Sequence, residues 1–164
     1  MKRVVGLFSL LAVGVAVSWS TVDAGEVKIE RQAVPAAVNT TLAARYPSAE
    51  LLHFTRETEK GVTLYEIEMK VAGHRVDVLV EPNGRLHEEE AGIAAGELPD
   101  SVRTALASSA QSNWTIQRAE RITSGNPAVA PRFELLVVRG NARLELVYAA
   151  NGRRLSAARV GARD

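Results

Sequence analysis

Residues Leu64–Arg85 read LYEIEMKVAGHRVDVLVEPNGR. Tyr65, Ile67, Met69 and Val71 alternate with Glu66, Glu68 and Lys70. Beyond Ala72-Gly73, Val76, Val78 and Val80 alternate with Arg75, Asp77 and Glu81. Period-two patterning on both sides of a short glycine turn predicts a half-buried β-hairpin. Glu81-Pro82-Asn83-Gly84 then predicts a type I turn, since proline presets the first central φ and glycine accepts a positive one. A tight turn at Ala72-Gly73 sets Met69 opposite Val76 and Ile67 opposite Val78. It also sets Glu68 opposite Asp77 and Lys70 opposite Arg75, pairs of like charge that a sheet disfavours.

The same pattern returns at Arg132–Arg153, RFELLVVRGNARLELVYAANGR. Phe133, Leu135 and Val137 are expected to pair with Leu144, Leu146 and Tyr148 across Gly140-Asn141. Before each hairpin comes an apolar stripe of helical period. Val38, Leu42 and Tyr46 follow Val34-Pro35, and Val102 and Leu106 follow Leu98-Pro99. Tyr46-Pro47 should end the first helix, because a residue before proline is pushed out of the helical region. Ala49–Glu57 and Trp114–Ile122 read as strands, Arg85–Glu89 and Arg154–Arg159 as short closing strands, and Glu88–Gly96 as a linker. Pro35 and Pro99 are 64 residues apart, and Asn83-Gly84 and Asn151-Gly152 are 68 apart. An internal repeat is the simplest account. The expected fold is α+β, two tandem repeats of a helix plus a four-stranded antiparallel sheet, over residues 34–90 and 97–160.

Residues 1–24 read as a secretory signal peptide: a basic Met1-Lys2-Arg3, an apolar Val4–Val17 and small residues up to Ala24. An uncleaved anchor is the alternative, but the run is shorter than the roughly 18–20 residues that span a bilayer. Removing Lys2, Arg3 and Asp23 from 20 basic and 19 acidic residues leaves 18 of each. Such a chain has no bulk attraction to nucleic acid, and none to an anionic membrane after signal cleavage. The sequence contains no cysteine, so an exported fold must rest on its apolar core rather than on disulfides. The expected location is periplasmic or secreted.

The Pro-opened helices, Tyr65-Glu66 and Phe133-Glu134 strand starts, alternating return strands and Asn-Gly turns resemble the PepSY-like domain family. Its duplicated form is similar to the β-lactamase inhibitor protein fold. The matching runs are Val34–Pro47, Leu64–Leu86, Leu98–Ala110 and Arg132–Leu155. The resemblance implies an exported bacterial protein and, in the inhibitor branch, a concave sheet surface that grips another protein. The chain departs from that branch in lacking cysteines, and nothing in it matches a specific inhibitory loop.

No sequence motif places a catalytic residue, a cofactor or a metal site. There is no HExxH, no GxSxG and no phosphate-binding glycine loop. His53, His74 and His87 are not at ligand spacing, and Glu88-Glu89-Glu90 reads as a solvated run. Two outward faces remain. Leu136, Val138 and Val147, with Arg143, form an apolar patch on a nominally wet face and are the expected partner-binding residues. Packing against the other repeat would explain that patch equally well. Glu66, Glu68, Asp77 and Glu81 form an acidic face that could take a ligand or cation, or simply be solvated. The leading expectation is a non-catalytic, inhibitor-like binding module for an unknown protein partner in the bacterial envelope. The alternative is a periplasmic sensor of a small ligand or cation through the acidic face, and a hydrolase ranks third.

Overall fold

The computed structural model describes residues 25–59 and 61–161, so the expected signal peptide lies outside the described residues. The strands are β1 (Val27–Lys28), β2 (Glu50–Glu59), β3 (Val62–Val71), β4 (His74–Val80), β5 (Leu86–Gly92), β6 (Thr115–Ser124), β7 (Arg132–Arg139), β8 (Ala142–Ala149) and β9 (Arg154–Arg159). Helix α1 (Ala36–Arg45) lies between β1 and β2, and α2 (Asp100–Ala107) between β5 and β6. The nine strands of the described residues join one antiparallel sheet in chain order.

That topology overturns the expectation of two tandem helix-plus-four-stranded repeats. Among the described residues the fold is mostly β, a single sheet with two short α-helices. The residues responsible are those read as a linker. Glu88–Gly92 continue β5, which pairs with β4 through Val78↔Glu89 and with β6 through Glu90↔Ile122 and Ala91↔Arg121. No boundary between sheets exists there.

The hairpin registers are those dictated by the alternation. Met69 faces Val76 and Ile67 faces Val78. Leu135 faces Leu146 and Phe133 faces Tyr148. Side chains of this parity lie under the helices. Val38 and Leu42 of α1 pack on Ile67, Met69, Val78 and Val80. Val102 and Leu106 of α2 pack on Leu135, Val137, Leu146 and Tyr148.

Each helix is pinned by a turn. Gly84 has φ +86°, and a Cβ there would lie 2.7 Å from the Ala37 carbonyl oxygen. Only glycine fits both the conformation and the approach. Thr41 Oγ1 donates to the Gly84 carbonyl at 2.7 Å, and Ser101 Oγ donates to that of Ala150 at 2.5 Å. The Tyr46 hydroxyl donates to the Glu89 carboxylate, tying the end of α1 to β5. Burial, and then that carboxylate, push the Tyr46 phenol up to about 12.

Candidate functional site

In a strand, every second side chain points to the opposite face, so the residues between the helix-packed positions share the other side of the sheet. One row there runs His53–Glu68–Asp77–Glu90–Ile122–Arg132 across β2 to β7. A neighbouring row runs Glu120–Glu134–Val147–Ser156. A further row pairs Leu136 with Glu145 and Ala158. Neither core cluster under the helices includes side chains of this parity.

This face is not an ordinary wet one. Glu66, Asp77, Glu88, Glu90, Glu120 and Glu134 are each no more than 9% exposed. Leu64, Leu79, Ile122 and Leu136 are buried beside them. Buried charge demands partners, and arginines supply some. Arg75 Nε donates to Asp77 Oδ2 at 2.9 Å, and its other end lies 3.5 Å from Glu68. Arg118 bridges Glu120 at 3.2 Å and Glu134 at 2.9 Å. Arg132 meets Glu88 at 2.5 Å.

Glu90 is different. It has no ion pair among the described residues, and its Oε1 is buried with no hydrogen-bond partner. Burial first, then the charges of Glu134, Glu120, Glu88 and Asp77, push its carboxyl up to about 9. Burial, then Asp77, raises Glu66 to about 7. Burial, then Glu145 and Glu120, raises Glu134 to about 7 against the pull of Arg118. Asp77 and Glu120 are also raised by burial, although Arg75 and Arg118 oppose it. Near neutral pH this face therefore holds protons as well as charge.

The two residue sets expected from the sequence occupy one continuous face. Glu66, Glu68 and Asp77 lie on β3 and β4, and Leu136, Val138, Arg143 and Val147 on β7 and β8. Leu136 is buried rather than displayed, while Val138, Val147 and Arg143 are half-buried. Arg143 Nε is buried without a hydrogen-bond partner. Glu81 sits apart, in the β4–β5 turn, ion-paired to Arg85 and 3.7 Å from His87 Nδ1. Its hydrogen bond to Arg85 lowers its pKa.

Sequence reasoning missed Glu88 and Glu90 as site residues: Glu88 falls where an expected short strand meets a solvated linker, and Glu90 within that linker. Three consecutive acids carry no alternation of their own, so only the strand register sets Glu88 and Glu90 on one face and Glu89, bonded to Tyr46, on the other. Among the described residues, no group of three or more acidic, histidine or cysteine side chains is arranged to hold a metal ion.

No protein-family model matches the chain, and no curated protein matches it. Solved structures do. A protein of Bacteroides eggerthii designated as periplasmic superposes with a TM-score of 0.66 at 18% identity, over 77% of this chain and 88% of that one. A DUF2874 family protein of Bacteroides uniformis gives 0.64 at 17% identity, over 76% and 88%. A BLIP-like protein of Bacteroides fragilis gives 0.60 at 23% identity, over 79% and 89%. The chain therefore has a BLIP-like fold. The expected periplasmic location is also the one designated for the B. eggerthii protein. Among the described residues, no helix is long and apolar enough to cross a membrane.

Proposed function

We propose that the chain is a non-catalytic, PepSY-like module of the bacterial periplasm that holds a protein partner on the helix-free face of its sheet. The observation that carries this reading is the composition of that face. Buried leucines and isoleucine stand beside buried carboxylates over adjoining strands, on the side that neither helix packs against. A wide surface of this kind suits a macromolecule better than a small ligand, for which sites are concave and enclosed. The arginine–carboxylate pairs give it a fixed charge pattern, and such patterns select partners more than they add affinity. The resemblance to the inhibitor protein fold points to the same use of a sheet face. Sensing of a metal cation draws on the same carboxylates, but their spacing along the strands does not bring three of them together.

The test is site-specific photo-crosslinking in the native envelope. Probes at Val138 and Val147 should trap one protein, whereas probes at the exposed helix positions Ala44 and Thr104 should not. Adducts from the helix positions alone would overturn the reading.

A further inference from the structure

Glu90 sits in the middle strands of the helix-free face, facing Asp77 on β4 and Ile122 on β6. Both residues are 9% exposed. Each keeps one oxygen, Glu90 Oε1 and Asp77 Oδ1, without a hydrogen-bond donor. A native fold rarely leaves such atoms unmet unless something else supplies the donor. The neighbouring cations are already engaged: Arg75 with Asp77 Oδ2 and Glu68, Arg118 with Glu120 and Glu134, and Arg132 with Glu88. On the same face, Ile122 stands opposite Glu90 and Leu79 lies two residues along β4 from Asp77, both buried.

We propose that the partner inserts one basic side chain, lysine or arginine, at this point, with Glu90 and Asp77 taking its cationic head and Leu79 and Ile122 its aliphatic stem. The proposal rests on the reading of this face as the docking surface. An ammonium or guanidinium is a donor without acceptors, which is the complement of two unmet carboxylate oxygens. A guanidinium fork can span oxygens on adjacent strands. A hard metal ion instead needs six or more oxygens at about 2.3–2.6 Å, and no such convergence exists among the described residues.

The groups facing Glu90 also give binding a pH signature. They are Asp77 from β4, Glu88 on its own strand, Glu120 from β6 and Glu134 from β7, which are themselves ion-paired to Arg75, Arg118 and Arg132. The free carboxyl holds its proton to about pH 9. An arriving cation favours the ionised form, so that proton leaves to solvent. Affinity should then rise with pH from 6 to 8, by up to about tenfold per pH unit for one proton released.

The experiment uses the exported protein with acetyl-arginine amide and acetyl-lysine amide, followed by amide NMR. Acetyl-norleucine amide is the uncharged control and calcium the metal control. A basic probe should give saturable shifts around Asp77, Glu90 and Ile122 that tighten as pH rises, and the norleucine probe should give none there. Glu90→Gln should weaken binding at least about tenfold and flatten its pH dependence. Asp77→Asn, checked by its melting curve, is the second variant should Glu90→Gln not fold. Equal binding by norleucine, tighter binding of calcium at the same amides, or indifference to both substitutions would overturn the proposal. If both variants lose the basic probe yet the Val138 crosslink persists with a weakened partner, both readings stand. If the crosslink forms but no basic probe binds, the docking surface stands and the basic anchor falls. Failure of the crosslink in the unsubstituted protein removes both.

Discussion

Glu90 sets how the protein responds to pH. Its carboxyl is raised from an ordinary 4.5 to about 9, so the folded state holds a proton that the unfolded chain releases. A raised carboxyl contributes stability that is full below about pH 4.5 and is lost as pH climbs toward 9. Glu90→Gln removes that dependence while keeping the shape. Its stability relative to the parent should therefore grow by about 1.4 kcal/mol per pH unit between pH 5 and 8. Urea titrations at several pH values would show it, and parallel curves for the two proteins would refute it. Glu66 and Glu134, raised to about 7, should still give Glu90→Gln a decline with pH up to neutrality.

At the level of elements, β5 separates what the sequence disclosed from what it did not. Ala91 pairs with Val76 on one side and Arg121 on the other. Proline there would remove a ladder hydrogen bond from a central strand. Ala91→Pro should lower stability by about 3 kcal/mol or more, whereas Val27→Pro, on the two-residue edge strand, should change it little. Comparable losses in a denaturation midpoint would show that β5 is not central. The helices and hairpins were legible because each declares itself within a few residues: Val38 with Leu42, or Met69 across from Val76. The run His87-Glu88-Glu89-Glu90 declares nothing locally. Three consecutive acids normally mark solvent; the short strand expected over Arg85–Glu89 stops before Glu90, and only Asp77, Ile122 and Tyr46, all distant in the chain, make it a longer, central one. The same non-locality hid the candidate site. Leu136 was visible as an apolar residue of outward parity, but not that Asp77 shares its face through β5 and β6.

For the whole molecule, a continuous sheet predicts a single cooperative transition. The cores under α1 and α2 are distinct clusters, but the ladder from β4 through β5 to β6 joins them. Trp114 packs against the α2 cluster and Tyr46 against the α1 cluster. Signals assigned to those two residues should melt at the same temperature, coincident with far-UV dichroism. A separation of several degrees would mean two independently unfolding halves.

The strand order has a kinetic corollary. Every strand pairs with the one preceding it in the chain, so most partners are joined by tight turns. The longer waits are between β1 and β2, across α1, and between β5 and β6, across α2. Such low contact order speeds the folding of a β protein. A chain emerging N-terminus first from a translocation pore could add each strand to a growing edge as it arrives, with little time for an unpaired edge to recruit a neighbouring chain.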